Sequence, residues 1–183
     1  MTEIICAGFG GQGILTAGMI LIDAGMEQGK HVTFYPSYGS EMRGGTANCS
    51  VKISDKRIAS PICKTLDILF TMNTPAIDKF EPRLKPGGLL LVNSSVVPAE
   101  RQYRDDIRVV KVDAVDIAKE LGNPKGANIV MLGTLAASSD LFKPEYLEKA
   151  IDVYFEKKGK RNSKNGLCFR QGASSRREEE RWI

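Results

Sequence analysis

The sequence is short of the residues that most often carry metal and redox chemistry. Its 183 residues include one histidine and four cysteines, Cys6, Cys49, Cys63 and Cys168. No two cysteines are spaced as Cys-x-x-Cys, so the sequence indicates neither a zinc site nor an iron–sulfur site. We therefore interpret the cysteines as small buried apolar residues in a reducing compartment and His31 as structural, and we predict no metal ligand and no catalytic residue.

Long apolar runs and a strong charge of one sign are also absent. No run of about 18 apolar residues occurs, which argues against a membrane-spanning helix. The first residues lack a basic stretch and include Glu3, so we expect no signal peptide and a cytoplasmic location. The net charge of +4 permits anionic ligands, but it does not point to nucleic acid or to a membrane as a partner.

What the sequence does have is an alternation of strand-like and helix-like segments. Short apolar or β-branched runs predict strands at 3–7, 31–35, 46–54, 66–72, 89–95 and 107–114. Helical patterns predict helices at 14–26, 74–84, 115–122, 128–138 and 144–158. We predict that Thr74 caps the second helix and that 57–63 pairs with 46–54 as an antiparallel hairpin. The alternation is typical of a three-layer α/β/α fold with a mixed, mostly parallel sheet.

The composition changes close to residue 158. Residues 159–183 are rich in charged residues, Gly and Ser, and have few large apolar side chains. We expect a polar linker followed by a terminal helix that begins near Asn165 and is either frayed or docked on a partner. The predicted division is an α/β domain over 1–158 and a linker with a C-terminal helix or tail over 159–183.

A glycine-rich loop follows the first predicted strand and opens the first predicted helix. It has the spacing G-x-G-x-x-G, which lets backbone N–H groups approach a phosphate at a helix N-terminus. A dinucleotide site also needs an acidic residue about 20 residues on, at the end of the second strand, where the sequence reads Phe34-Tyr35-Pro36. NAD or NADP is therefore disfavoured, and a ligand-free turn, another phosphate or a partner's backbone remain open. The candidate ligand-binding residues are Gly8, Gly10, Gly11, Gln12 and Gly13.

A second loop, in the stretch YGSEMRGGTAN at 38–48, joins two predicted strands. Arg43 has a planar guanidinium that pairs with carboxylate or phosphate through two hydrogen bonds, and Glu41 would orient it or bind a partner. The alternative is a surface ion pair of little consequence. Near a predicted helix start, Asn128 is either a helix cap or a contact residue. The candidate loop and interface residues are Tyr38, Gly39, Glu41, Met42, Arg43, Gly44, Gly45, Thr46 and Asn128.

Three stretches together resemble one known family. They are GFGGQGILTAGMILIDAG, YPSYGSEMRGGTANCSVKIS and GNPKGANIVMLGTLA. They are similar to the gamma subunit of the 2-oxoacid:ferredoxin oxidoreductases over about the first 150 residues, with a weaker similarity at NGLCFRQG. The middle stretch is the most specific of the three, and its sequence is most similar to that of the 2-oxoglutarate branch.

The resemblance implies a fold like the gamma subunit, or domain III, of pyruvate:ferredoxin oxidoreductase. It implies one component of an enzyme that converts 2-oxoglutarate to succinyl-CoA and reduces ferredoxin, with thiamine diphosphate, Mg²⁺ and iron–sulfur clusters in partner subunits. The implied partners are alpha, beta and ferredoxin-like delta subunits and ferredoxin, and the isolated chain would be a candidate homodimer. This chain would bind no cofactor tightly, would help to enclose the active site and would offer the glycine loop to coenzyme A.

Two other functions remain open at this point. The first is a free-standing nucleotide-binding, Rossmann-like oxidoreductase with the glycine loop as its cofactor site. The second is a structural assembly domain without a ligand. The sequence has no G-D-G…N stretch of the kind that holds thiamine diphosphate through a metal, so the chain is not expected to be active alone.

Overall fold

The computed structural model describes residues 1–38 and 46–178. Its strands are β1 (Thr2–Phe9), β2 (His31–Tyr38), β3 (Thr46–Ser54), β4 (Leu66–Thr71), β5 (Leu84–Asn93), β6 (Arg108–Val112) and β7 (Arg177–Glu178). Its helices are α1 (Ile14–Glu27), α2 (Thr74–Phe80), α3 (Ala114–Glu120), α4 (Ala127–Ser138), α5 (Pro144–Lys157) and α6 (Lys164–Ser174), and a 3₁₀ turn spans Glu81–Arg83. The alternation read from the sequence is therefore present.

The strands form one sheet in the order β2-β3-β1-β4-β5-β6-β7. The pairs β1–β4, β4–β5 and β5–β6 are parallel, β3 is antiparallel to both β1 and β2, and β7 is antiparallel to β6. As a result β1, β2, β4, β5 and β6 all end at the same edge of the sheet, which we call the carboxyl edge. The mixed sheet and the central position of β4 confirm the predicted fold class.

Helices cover both faces of the sheet, but unequally. One face packs against α1, α3, α4, α5 and α6 around side chains such as Ile4, Phe70 and Leu91. The other packs against α2, where Ile77 and Phe80 meet Ile5 and Leu90 from the sheet. The two faces of the central strands are thus both apolar, which is expected of parallel strands covered on both sides.

The terminal helix α6 packs on α4 within the same core. Cys168 is fully buried and Phe169 is nearly so. Gly133 of α4 and Gly172 of α6 lie so close to the opposite helix that an added Cβ would come within 1.9 Å of a backbone oxygen. Two helices that approach this closely need few large side chains between them. The expectation that this helix is frayed or docked on a partner is therefore wrong.

The predicted hairpin between 46–54 and 57–63 is also wrong. Both edges of β3 are already occupied, by β1 on one side and β2 on the other, so no backbone edge remains for a further strand. Residues 57–63 instead cross to β4 without regular structure. Along that path Cys63 donates its thiol towards the carbonyl oxygen of Ile4.

The cap of α2 lies one residue earlier than predicted. Asn73 is the N-cap, and its Oδ1 accepts a hydrogen bond from the N–H of Ala76 at 2.9 Å. Thr74 is the first helical residue and Pro75 lies in the first turn, where a missing N–H costs nothing. None of the helices given above is long and apolar enough to cross a bilayer.

Candidate functional site

The glycine loop and both ends of the 39–45 segment meet at the carboxyl edge. Phe9, at the end of β1, is paired with Thr46 at the start of β3, and Gly8 is paired with Ala47. Tyr38, the last residue of β2, is also paired with Ala47. The start of the glycine loop therefore lies one strand spacing from Thr46 and two strand spacings from Tyr38.

The interior of the glycine loop is filled by a side chain of the loop itself. The Oε1 of Gln12 accepts a hydrogen bond from the N–H of Phe9 at 2.7 Å and another from Nδ2 of Asn73 at 3.1 Å. Its Nε2 donates to the carbonyl oxygen of Met72 at 3.4 Å. A Cβ on Gly8 would lie 2.6 Å from the same Oε1. The Gln12 carboxamide thus ties the loop to the end of β4, and the N–H of Phe9 already has an acceptor.

The outer rim of the loop retains donors. Gly10 and Gly11 are exposed, and within the described residues their N–H groups have no acceptor. Gly13 precedes α1 with φ 73° and gives it no side-chain cap, and the first turn of α1 has no acidic residue. An uncapped helix start with free N–H groups carries partial positive charge. The rim can therefore accept an anionic group from outside the chain.

Asn128 connects α4 to this loop. Its Nδ2 donates to the carbonyl oxygen of Gly13 at 3.1 Å, and the residue is only 4% exposed. The N-cap of α4 is Gly126, with no side-chain cap. The cap interpretation of Asn128 is therefore wrong, and the structure makes Asn128 a contact of the glycine loop.

Two buried asparagines at the same edge escaped the sequence analysis. Asn73 lies two residues after the end of β4, and Asn93 is the last residue of β5 and has no exposed surface. The Nδ2 of Asn93 donates to the carbonyl oxygen of Met72 at 3.3 Å, and its Oδ1 has no partner within the described residues. The available signal was an amide at the end of each of two adjacent apolar strands, LFTMN and LLLVN.

An ion pair between Arg177 and Asp113 lies at the same edge of the sheet, just after β6. The guanidinium of Arg177 donates to Oδ1 of Asp113 at 2.7 Å, and the hydroxyl of Ser94 donates to that oxygen at the same distance. These two hydrogen bonds hold the pKa of the Asp113 carboxyl below its usual value. The pair fixes the short strand β7 against the carboxyl end of β6.

The rest of the second loop lies outside the described residues. This applies to six of its candidates, Gly39, Glu41, Met42, Arg43, Gly44 and Gly45. Thr46, the first residue of β3, is half-buried. The structure therefore places the two ends of this loop beside the glycine loop.

The described residues of this chain do not fit a metal ion or an iron–sulfur cluster. Within residues 1–38 and 46–178, no three His, Cys, Asp or Glu side chains form a group suited to a metal. All four cysteines are buried, as the sequence predicted. Cys6 faces Cys49 across the β1–β3 pair, and a hydrogen bond of the Cys6 thiol to this neighbour together with burial raises the pKa of that thiol well above its usual value.

The strand order also argues against a dinucleotide site. In that site the acidic residue at the end of the second strand reaches the ribose because the second strand lies beside the first. Here β3 separates β2 from β1, and β2 ends Phe34-Tyr35-Pro36-Ser37-Tyr38 without an acid. The geometry therefore favours a different use for the loop.

Comparison with known proteins finds relatives that are subunits of 2-oxoacid oxidoreductases. A family model described as pyruvate ferredoxin/flavodoxin oxidoreductase matches residues 3–175. The ketoisovalerate oxidoreductase subunit VorA of Methanothermobacter marburgensis is 41% identical over 72% of this chain, but the match spans only 27% of VorA. The 2-oxoglutarate synthase subunit KorC of Methanocaldococcus jannaschii is 38% identical over 93% of this chain and 91% of KorC.

Solved structures show the same fold. The gamma subunit of a keto/oxoacid ferredoxin oxidoreductase from Geobacter sulfurreducens matches 96% of this chain and 98% of its own length, with a TM-score of 0.78 and 30% identity. A 2-oxoglutarate:ferredoxin oxidoreductase from Magnetococcus marinus, solved with 2-oxoglutarate, coenzyme A and succinyl-CoA bound, has a TM-score of 0.78 at 21% identity and shares the fold over 94% of this chain and 30% of its own. The chain therefore belongs to the pyruvate ferredoxin/flavodoxin oxidoreductase family, as a chain of the gamma-subunit type.

Proposed function

We propose that this chain is the gamma subunit of a cytoplasmic 2-oxoacid:ferredoxin oxidoreductase and acts only within that complex. The observation that carries the proposal is the rim at the carboxyl edge, near the ends of the 39–45 loop. There the N–H groups of Gly10 and Gly11 have no acceptor among the described residues. Such a rim can bind an anionic part of a ligand, but it contains no group that would break a carbon–carbon bond. The chain would thus help to enclose an active site whose reacting groups belong to partners.

The proposed substrate is 2-oxoglutarate, which the complex would convert to succinyl-CoA while reducing ferredoxin. Support comes from the KorC relative, a 2-oxoglutarate synthase subunit that matches this chain over nearly the whole of both lengths. The VorA relative is named for ketoisovalerate and is about as similar. The choice between these two oxoacids is therefore the first point to test.

Coenzyme A is the proposed ligand of the rim. When bound, it supplies the thiol that accepts the acyl group. In this proposal a phosphate of coenzyme A receives hydrogen bonds from the N–H groups of Gly10 and Gly11, beside the positive end of α1. That rim is held in shape by Gly8, Gln12, Gly13 and Asn128. Arg43 and its neighbours 38–46 are the proposed contacts of the phosphate or of a partner subunit.

The remaining chemistry is assigned to partners. Thiamine diphosphate with Mg²⁺ would be carried by alpha and beta subunits, and iron–sulfur clusters by a ferredoxin-like delta subunit. This assignment is consistent with the lack of a metal-binding group within the described residues of this chain.

The proposal is tested by purifying the chain from a native extract together with whatever it binds. We expect larger thiamine- and iron-containing chains to copurify, and the complex to reduce a viologen dye in a coenzyme A-dependent manner. 2-Oxoglutarate is expected to be the fastest of three substrates, the others being pyruvate and 2-oxoisovalerate. Turnover by the isolated chain, or failure to find such partners, contradicts the gamma-subunit function, whereas faster turnover of another oxoacid contradicts only the substrate.

The role of the rim is tested separately in the assembled complex. Gly10→Val and Arg43→Ala are expected to raise the KM for coenzyme A by about tenfold or more, as loss of a charge-assisted hydrogen bond predicts. Arg57→Ala is the matched control, because Arg57 is exposed and follows β3 at the opposite edge of the sheet. An unchanged KM in both rim variants rejects the coenzyme A site while leaving the subunit assignment intact.

A further inference from the structure

A cavity of about 400 Å³ opens where α3 and α5 end and α4 and α6 begin. Its lining combines two lysines, several amides and an apolar wall. The residues that matter are Asn123, Lys125, Ile129, Phe155, Lys160 and Asn165. The cavity is on the helical side of the molecule, and none of the functions proposed above uses it.

Its amide groups are held in a fixed order. The Nδ2 of Asn162 donates to Oδ1 of Asn123 at 3.2 Å, and the Nδ2 of Asn123 donates to Oδ1 of Asn165 at 3.0 Å. This chain of hydrogen bonds turns the oxygen of Asn165 towards Asn123 and leaves its Nδ2 for the cavity that it lines. Asn165 is only 5% exposed, and within the described residues its Nδ2 has no acceptor. Asn165 lines the cavity, so a ligand there could accept a hydrogen bond from this Nδ2.

The charge around this donor is positive. Lys125 and Lys160 line the cavity, both are exposed, and neither forms an ion pair within the described part of the chain. The helix α4 starts two residues after Lys125 and has no side-chain cap, so its partial positive charge adds to the same field. An anionic group in the cavity would therefore meet two ammonium groups and an amide donor.

The opposite part of the lining is apolar. Phe155 is partly exposed and packs edge-on against Tyr154, with ring centroids 5.4 Å apart. Ile129 supplies an aliphatic surface beside it. An aromatic side chain in such a wall favours contact with a flat apolar group. The cavity thus offers one end for an anion and another for a ring.

We propose that this cavity binds a small organic anion that carries an apolar ring. The anionic group would accept hydrogen bonds from Asn165 Nδ2, Lys125 and Lys160, and the ring would pack on Phe155. The site is separate from the glycine loop but adjoins it through the first turn of α4, where Asn128 contacts Gly13 and the next residue, Ile129, lines the cavity.

The test is isothermal titration calorimetry of the full chain with phenyl phosphate. We expect binding in the millimolar range or tighter, with inorganic phosphate weaker and phenol undetectable. Asn165→Asp keeps the oxygen that accepts from Asn123 but replaces the free donor by a second oxygen, so it is expected to weaken binding by about tenfold or more. Lys160→Gln is expected to weaken binding too, whereas Lys157→Gln, an exposed lysine outside the lining, is the matched control and should have no effect.

Several results would overturn the proposal. Absence of phenyl phosphate binding rejects the site, equal binding of phenol rejects the anion, and equal binding of inorganic phosphate rejects the ring. If Lys157→Gln weakens the binding of phenyl phosphate as much as Lys160→Gln does, the binding is an unspecific charge attraction. If Asn165→Asp does not fold, the side-chain amide resonance of Asn165 is followed by NMR in the natural protein instead. This resonance is expected to shift on addition of phenyl phosphate, and an unchanged resonance rejects the site.

Discussion

Asn128 and Gly13 are 115 positions apart in the chain, yet Asn128 Nδ2 donates to the carbonyl oxygen of Gly13 over 3.1 Å. The contact joins the first turn of α4 to the last residue of the glycine loop. Gly13 has φ 73°, and a Cβ at that position would lie 2.4 Å from the same Nδ2. The glycine is therefore required twice, by its backbone conformation and by the asparagine that holds it.

The two requirements on Gly13 are separated by comparison with Gly11. Gly11 has φ 91° but nothing within 4 Å of an added Cβ, so Gly11→Ala carries the backbone penalty alone, about 1–2 kcal/mol. We expect Gly13→Ala to lower the free energy of unfolding by roughly 1–3 kcal/mol more, because it also displaces buried Asn128. Urea denaturation of both variants measures the difference, and equal losses would mean that Asn128 moves aside freely.

Removal of the Gln12 carboxamide is expected to loosen the glycine loop. Gln12→Met keeps the length of the side chain but leaves the N–H of Phe9 and the Nδ2 of Asn73 without their acceptor. We expect a loss of about 1–3 kcal/mol in the free energy of unfolding and faster amide hydrogen exchange at Phe9. Gln102→Met, at an exposed amide, is the control and should stay within about 0.5 kcal/mol; protection of Phe9 unchanged from the natural protein would contradict the role of Gln12.

The contact between α4 and α6 is expected to tolerate no side chain at its glycines. A Cβ at Gly133 would come within 1.9 Å of the carbonyl oxygen of Phe169, and a backbone atom cannot move away alone. We expect Gly133→Ala to cost about 4 kcal/mol or to prevent folding. Gly166→Ala in α6 is the control, since its added Cβ meets only the flexible ends of Arg170 and Glu148.

The control variant Gly166→Ala is not expected to lose stability. Alanine favours the helical state over glycine by up to about 1 kcal/mol, so Gly166→Ala should leave the chain as stable as before or slightly more so. Thermal unfolding followed by circular dichroism is sufficient for both variants. A stable Gly133→Ala protein with native helix content would show that α6 can dock at a larger distance.

The pair of Arg177 and Asp113 gives a pH dependence. The pKa of Asp113 is lowered in the folded chain, first by Arg177 and then by Ser94, so it lies below the unfolded value of about 3.9. Its contribution to stability is therefore present above that value and is lost as the pH falls through the folded pKa. Because both side chains are partly exposed, the effect on stability is small.

A carboxyl NMR titration tests this pair directly. Arg177→Ala is expected to raise the pKa of Asp113 towards its ordinary value, with Ser94 retaining part of the shift. Arg176→Ala is the matched control, because among the described residues Arg176 donates only to the carbonyl oxygen of Ala173. An Asp113 pKa that is the same in all three proteins would show that β7 does not hold Arg177 against the carboxylate.

Local patterns identified most elements, and they failed where a distant part of the chain decided the outcome. The helix of α1 and the strand pattern of β3 follow from side-chain spacing, which each segment carries in itself. The segment 57–63 looked equally strand-like, but its intended partner β3 already had two neighbours. The same reason explains β7, whose two residues become a strand only because β6 offers a free edge. The domain boundary at residue 158 stays a prediction, although α6 shares the core of α4.

The glycine loop could be located from the sequence, because its spacing between a strand and a helix is local. Its filling by Gln12 and its contacts with Asn73 and Asn128 could not, since these side chains are brought together only when β1 and β4 pair and α4 packs on the sheet. The amino-acid sequence by itself thus determined the alternation of strands and helices and a place where backbone donors gather. Tertiary structure decided which of those donors find an acceptor within the described part of the chain and which do not, because hydrogen bonds between remote residues depend on strand order and helix packing.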